Sequence, residues 1–578
     1  MNSYLFAEKI PEKHELRNIY SNLTAQLLLN RNITTLATAE DFLHPKFKNN
    51  HDPFKLYNMG KSIERFYTAI QNNERITIYA DYDADGIPGS IVLANLLEKI
   101  KYNNFDIYIP HRHDEGYGIH IDALEGILNA GTSLVVTIDV GITGHDAALW
   151  SLENGIDMII TDHHLPLERA SGGHDIPKSF SVINPKQELC HYPDPMLCGC
   201  GVIFKFVQAF IQKHGLEYNI PVGWEKWLLD MVGISTISDM VPLRNENRIF
   251  AYFGMKVIEK IATEKNRRIG LKKLMWDAGI QAKYMTEEDI SFSITPKINA
   301  ASRMSHPEDA VAVFMAHNEI EATESVAHLV LLNNERKKLV AKTMKEAEAM
   351  LDEREISSVV VIGKDTWQAG ILGLVASKIV EKYKKPAFVW SLEGDTIKGS
   401  CRSLDGLHLV NIMQHAESKT FLGFGGHAGA GGFSADKNEI GNMQSRLEKA
   451  LVKFTADNSE LEKDTLKIDM ELSPDAITVG NYLEMRKLAP FGMENPKPLF
   501  VFKNILIDSA NTFGKEKNHL EISFKNSFNK TIRAISFFKV PTDFKKLKEG
   551  SACDLVAHIE YSVFMGKHEL RLKIVDVL

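Results

Sequence analysis

Four short clusters carry the side chains with the most obvious chemistry: Asp81-Tyr82-Asp83-Ala84-Asp85-Gly86, Asp139 in Thr137-Ile138-Asp139-Val140-Gly141, Asp162-His163-His164, and Ser238-Asp239. Carboxylates and imidazoles drawn together repel one another and are costly to desolvate, so their convergence calls for a strong opposite charge. Divalent metal ions supply it, and a paired metal site hydrolyses phosphate esters. Two ions about 3.5–4 Å apart require a bridging carboxylate with terminal ligands on either side. Asp139 is the candidate bridge. Asp83 would serve one ion; Asp85, His163 and Asp239 would serve the other; Asp81 would add a ligand or stand behind one. Mixed carboxylate and imidazole donors suit Mn²⁺, with Mg²⁺ able to substitute. Asp162 fits a carboxylate that orients a histidine.

The elements that must position these residues are legible. Ile76-Thr77-Ile78-Tyr79, Leu134-Val135-Val136-Thr137 and Met158-Ile159-Ile160-Thr161 each precede one of the first three clusters. Such β-branched apolar runs between helical stretches read as buried strands of a parallel sheet. The charges then fall at the carboxyl ends of successive strands, where open α/β sheets bind ligands. Gly86 is expected to allow a tight turn. A calcium loop is a weaker reading of the first cluster: its twelfth position is Ala94 or Val92 rather than Glu, and a buried strand precedes it. Taken alone, Asp139 would read as a cap or turn residue.

The chain has 578 residues, 44% hydrophobic and 25% charged, so several globular domains are expected. No apolar stretch approaches the roughly 18 residues needed to cross a bilayer, and the first residues lack a secretory pattern. Five cysteines, an odd number, argue against a disulfide framework and for a reducing cytoplasm, with no membrane partner. Cys190, Cys198 and Cys200 with His191 have an unusual spacing for zinc and read better as buried thiols. The net charge of −8 neither points to nucleic acid nor excludes it.

Residues 1–60 read as an N-terminal helical segment and 61–250 as a doubly wound α/β domain with strands at 75–81, 105–110, 134–139, 157–162 and 181–184. Residues 251–352 read as helical, ending in one extended helix over Glu321–Leu351. A second α/β lobe covers 353–456, a polar linker runs from Asp457 to Asp464, and alternating short strands over 465–578 predict a small β-barrel. The barrel carries basic residues, among them Lys503, Lys515, Lys525, Lys530 and Arg533, interleaved with Phe513, Phe524, Phe528, Phe537 and Phe538. That mixture suits a single-strand-binding surface, although alternation hides one face of each strand.

The four clusters resemble motifs I to IV of the DHH phosphoesterase superfamily, and Gly425-Gly426-His427-Ala428-Gly429-Ala430-Gly431-Gly432 resembles the glycine-rich signature of the DHHA1 domain. Further segments are similar to the RecJ family of single-strand-specific 5′ exonucleases: Glu115–Gly118, Leu197–Val202, Pro296–Arg303, Trp367–Ala376 and Pro490–Pro496. The resemblance spans about residues 40 to 578. It implies two α/β lobes, a DHH parallel-sheet domain and a DHHA1 domain, joined by a long helix and followed by a C-terminal OB-fold β-barrel. It also implies 5′ to 3′ hydrolysis of single-stranded DNA with two Mn²⁺ or Mg²⁺ ions, in DNA repair and recombination. Asp83, Asp85, Asp139, His163 and Asp239 become metal ligands, and His164 lies beside the scissile phosphate. A 5′-phosphate pocket maps onto Arg112, Ser400 and Arg402, with Arg303 near the strand and Gly426 and His427 in the substrate lobe. A single-strand-binding protein partner follows by family analogy alone. Pro88, Lys297, Ser302 and Gln368 depart from the family pattern and bear on substrate handling. The rival readings are a DHH phosphodiesterase acting on short oligonucleotides or cyclic dinucleotides, and an inactive RecJ-like replication scaffold.

Overall fold

A computed structural model describes residues 3–169, 171–404, 406–457, 465–564 and 567–578. Apart from Asp457, the polar stretch expected as a linker lies outside the described residues.

The apolar runs become a parallel five-stranded sheet of β1 (Arg75–Ala80), β2 (Phe105–Tyr108), β3 (Thr132–Ile138), β4 (Asp157–Thr161) and β5 (Ser181–Ile183), in the order β2-β1-β3-β4-β5. The runs are continuous because both sheet faces are covered. Ile76, Ile78, Leu134, Val136, Ile138 and Ile159 enter one core; Tyr79, Val135, Met158 and Ile160 enter another. The first core is roofed by α1 (Gly86–Lys99), α2 (Gly199–His214) and α3 (Leu229–Ser238). Phe66 illustrates its packing: wholly buried, it meets Phe206 and Phe210 edge-on at 5.2 and 5.6 Å. Truncating it to Ala would cost about 3–5 kcal/mol.

The long helix, α4 (Glu319–Asp352), has 34 residues and so runs about 51 Å. Asn318 caps it, its Oδ1 accepting from the Ile320 and Glu321 amides at 3.0 Å. Val326 and Leu329 pack into the first lobe, and Val340, Ala347 and Leu351 into the second. This helix therefore joins the two lobes by burial at both ends.

The second lobe contains β6 (Val360–Gly363), α5 (Ala369–Tyr383), β7 (Ala387–Glu393), β8 (Thr396–Arg402), β9 (Gly423–Gly426) and β10 (Ala430–Asp436). Its sheet order is β9-β10-β8-β7-β6; only the β6–β7 pair is parallel.

The C-terminal domain is one seven-stranded sheet: β11 (Met470–Glu471), β12 (Phe500–Leu506), β13 (Ser509–Phe513), β14 (His519–Lys525), β15 (Thr531–Ser536), β16 (Ala552–Phe564) and β17 (Lys567–Val577), ordered β11-β12-β16-β17-β15-β14-β13. Its interior is shared. Leu16, Leu23, Leu27, Leu28 and Leu43 of the N-terminal segment lie in the same core as Phe500, Phe502, Leu555 and Leu572. Ser3–Phe6 also pairs in parallel with Thr465–Ile468. The N-terminal helices thus complete the C-terminal domain, a pairing across some 460 residues that no local pattern announces. Among the described residues no helix is long and apolar enough to cross a membrane.

Candidate metal centre and anion pocket

Asp139 follows β3 directly and adopts φ +62°, a left-handed conformation uncommon outside glycine, with Gly141 following at φ +119°. Its amide still extends the ladder, donating to the Thr161 carbonyl at 3.0 Å. Gly199 at the start of α2 closes over it: a Cβ there would lie 2.5 Å from the Asp139 Cβ and 2.6 Å from Oδ1. Gly86 is required for a reason other than the expected tight turn, since its φ is not positive and a Cβ would collide with the main chain of Asp81.

Asp85 is buried at the N-terminus of α2. It accepts from the Gly199 amide at 2.6 Å, the Cys200 amide at 2.8 Å and the Ser235 hydroxyl. These contacts tie the Asp85 side chain to the first amides of α2. Asp83 Oδ1 accepts from the Asp85 and Gly86 amides at 2.7 and 3.2 Å. His163 Nε2 stands 3.2 Å from Asp139 Oδ1, 3.7 Å from Asp85 Oδ2 and 3.7 Å from Asp239 Oδ2. Asp239 reaches this point as the C-cap of α3. Three sets of donor atoms, each within 4.8 Å, are able to hold an ion: Asp81, Asp83 and Asp139; Asp85, His163 and Asp239; Asp139, His163 and His164.

Asp81 Oδ1, Asp139 Oδ1 and His163 Nδ1 are buried without a hydrogen bond. Burial, then the neighbouring carboxylates, push Asp81, Asp139 and Asp239 well above the ordinary carboxylate range. Unsatisfied oxygens and mutual repulsion are what a cation-binding cluster should show before its charge is balanced. Burial likewise lowers His163 to about 4, leaving it a neutral donor.

Asp162 differs. Its Oδ1 accepts from the His163 amide at 2.7 Å, the His164 amide at 3.1 Å and His164 Nδ1 at 2.8 Å; its Oδ2 accepts from the Ile142 amide at 2.9 Å. Burial works to raise its pKa, but the charge and hydrogen bond of His164 bring it down to about 2. Burial works to lower His164, and Asp162 outweighs it, giving about 9. Asp162 therefore fixes a cationic His164. That ring lies 5.8 Å from the ring of His427, stacked at 13°. Gly426, paired with Gly431 at the end of β9, immediately precedes His427, so the glycine-rich turn meets the first lobe here.

Beside the acid cluster lies a basic one. The Arg112 guanidinium is 4.7 Å from the Tyr82 ring centre. Arg303 donates to the Gly370 carbonyl at 2.9 Å; Arg402 donates to Ser400 Oγ at 3.2 Å and to the Cys401 carbonyl at 2.7 Å. Burial and then the charges of Arg112, Arg336 and Arg402 lower Arg303 to about 9. Arg303 and Arg402, each tied to a neutral carbonyl, keep guanidinium groups able to take an anion. Arg112 links the clusters, acting on Asp81 on one side and on Arg303 and Arg402 on the other.

Sequence reasoning did not single out Ser235 or Arg336. Ser235 lies four residues before Asp239 on α3, which puts both on one helix face. Arg336 sits in a helix that reads as a spacer. Cys198 and Cys200 are buried, and no cysteine joins a metal-capable group among the described residues. Part of the expected basic and aromatic grip is used internally: Phe524 is buried, Lys503 pairs with Glu471, and Arg533 pairs with Glu521 and Glu569. Phe528 and Phe538 are exposed, at 79% and 77%.

Parts of the chain match known protein families. Residues 75–236 match the DHH family, N-terminal domain, residues 356–453 the DHHA1 domain, and residues 468–576 the RecJ OB domain. The single-stranded-DNA-specific exonuclease RecJ of Bacillus subtilis is 33% identical over 561 residues, 96% of this chain and 67% of that one. The Escherichia coli protein of the same name is 31% identical over 77% of this chain and 78% of its own. The crystal structure of RecJ in complex with Mn²⁺ from Thermus thermophilus has the same fold, with a TM-score of 0.81 at 23% identity over 100% of this chain and 79% of that one. A crystal structure of exonuclease RecJ bound to manganese aligns at a TM-score of 0.58 and 28% identity, over 69% of this chain and 95% of that one. By its three matched domains and its identity to these relatives across most of its length, the chain belongs to the RecJ family.

Proposed function

We propose that this protein is a metal-dependent exonuclease that degrades single-stranded DNA from its 5′ end. The observation that carries the reading is the place of Arg112, close enough to act on Asp81 of an acid cluster able to hold cations and on Arg303 and Arg402, arginines suited to a terminal phosphate. A strand anchored by its 5′-phosphate at Arg112, Arg303, Ser400 and Arg402 presents its next phosphodiester to the acid cluster, and cleavage there releases a mononucleotide.

The donor set fits two divalent ions, because buried carboxylate oxygens lack partners and a neutral imidazole faces them. Asp81 and Asp83 would hold one ion, Asp85, His163 and Asp239 the other, and Asp139 both; the oxygen and nitrogen mixture suits Mn²⁺, with Mg²⁺ as substitute. Such ions supply a water ionised near neutral pH and neutralise charge on the phosphoryl oxygens. His164, held as a cation by Asp162, donates to a phosphoryl oxygen as negative charge grows there. His427 and Gly426 close the opposite wall.

Residues 61–250 would then be the catalytic domain, 353–456 the substrate-binding domain, and 465–578 a nucleic-acid grip completed by residues 1–60, with 251–352 connecting them. Exposed Phe528 and Phe538 would stack on bases of a longer strand. A single-strand-binding protein and a reducing cytoplasm are the partner and compartment that fit this activity.

The test is digestion of end-labelled DNA with Mn²⁺ or Mg²⁺. Single strands blocked at the 3′ end should be degraded to mononucleotides; 5′-blocked strands and blunt duplexes should resist. Degradation of 5′-blocked strands, or turnover confined to dinucleotides, would overturn the assignment.

A further inference from the structure

Lys186 has no part in the assignments above, yet it stands at the same sheet edge. It comes three residues after the end of β5, beside β4, whose end carries Asp162, His163 and His164. Asn184 fixes it there: its Nδ2 donates to the His164 carbonyl at 2.9 Å, and its Oδ1 accepts from the Lys186 amide at 2.8 Å. The turn is held from below by Gln187, whose Nε2 donates to the Val182 carbonyl at 3.0 Å. Lys186 itself is half-buried between two buried neighbours.

The ammonium lies in the field of Asp239, Asp162, Asp139 and Asp85, and acts on His427 of the second lobe, but forms no direct ion pair among the described residues. A lysine there for structural reasons alone would be expected to close onto one of these carboxylates. A lysine beside two intended dications also opposes their binding by like-charge repulsion. The conflict resolves when a third, negative group enters the space between them. Under the activity proposed above, that group is the scissile phosphodiester.

We propose that Lys186 is a catalytic residue that contacts a non-bridging oxygen of the scissile phosphate, sharing with His164 the charge that grows there. Water adds to phosphorus, the P–O3′ bond of the released nucleotide breaks, and its 3′ oxygen takes a proton. The phosphorus stays on the shortened strand as a new 5′-phosphate. Lys186 holds charge throughout and transfers no proton. The inference rests on the nuclease reading and adds to it a group that motif matching did not select.

The test uses the full chain with Lys186→Gln and Lys186→Arg, checked for unchanged melting temperature. Single-turnover digestion of a 5′-phosphorylated single strand is measured with saturating Mn²⁺, alongside Mn²⁺ affinity by calorimetric titration. The Gln variant should be slower by on the order of a hundredfold, bind Mn²⁺ as tightly or more tightly, and be largely rescued in the Arg variant. A methylphosphonate at the first linkage, which removes one negative oxygen, should penalise the wild type more than the Gln variant. An undiminished rate, a loss of Mn²⁺ affinity in step with the rate, or equal methylphosphonate penalties would overturn the proposal. A wild-type chain that leaves single strands intact removes the nuclease reading and this proposal with it; a wild type and Gln variant equally active remove Lys186 alone.

Discussion

The acid cluster and the arginine pocket are neighbours built on opposite logic. In the first, like-charged carboxylates are held by backbone amides: Gly199 and Cys200 on Asp85, Asp85 and Gly86 on Asp83, Ile142 on Asp162. In the second, guanidiniums are held by backbone carbonyls, Gly370 under Arg303 and Cys401 under Arg402. Separately they would be two costly buried charge clusters; under the proposed function their adjacency would let a phosphate chain run from the acid cluster to the arginines. Their origins differ as well. The acid cluster sits on one sheet and α3, whereas the pocket draws on Arg112, Arg303 and Arg402 from three distant segments. The pocket should therefore be the part that tunes ends and substrates, and the acid cluster the part that decides whether hydrolysis occurs.

That division can be broken from either side. Asp139→Ala should remove activity by on the order of a thousandfold or more on every strand, because all ions lose a ligand; a folded variant that still digests DNA would end the bridging role. Arg402→Ala should slow 5′-phosphorylated ends by about ten- to a hundredfold while sparing 5′-hydroxyl ends; equal losses on both would move Arg402 out of the pocket. Ser235→Ala takes one donor from Asp85 and leaves two, so Mn²⁺ affinity should fall by about tenfold with end preference unchanged, read by metal titration beside the two-substrate assay. Outside both clusters, Glu484 accepts from Thr24 and Ser21 and pairs with Lys487, contacts that hold its carboxyl at about 2. A carboxyl lowered in the folded state stabilises above its ordinary pKa, and the gain is lost as pH falls toward the folded value. Glu484→Gln should lower the melting temperature slightly near pH 6, by less as pH falls below the ordinary carboxylate range, and hardly at all only once pH reaches about 2, without touching catalysis.

Much of this molecule is legible because its chemistry is local. The strands announce themselves by apolar runs, which are continuous since both sheet faces are buried, and the acids follow at their ends. α4 is evident from composition, although not that Arg336 leaves the spacer role to join Arg303. Ser235 is invisible in the sequence because its partner, Asp85, is 150 residues away and the contact exists only once α2 and α3 dock. The C-terminal basic residues mislead for a related reason: Lys503 and Arg533 look free in the sequence and are paired with acids across the strands. Alternation reveals which face of a strand is hidden, but not which charges on the other face already have partners.

The core shared by the first forty-odd residues and the last hundred has a temporal consequence. A ribosome releases the N-terminal leucines long before the strands that cover them, so this clasp cannot close during most of synthesis. The parallel sheet, in contrast, has all its strands by residue 183 and can collapse early. Maturation is thereby ordered: the two charged sites can assemble first, and the N-terminal helices lock onto the C-terminal strands last. A truncated product leaves those leucines bare, an invitation to chaperones and proteases rather than a smaller working nuclease.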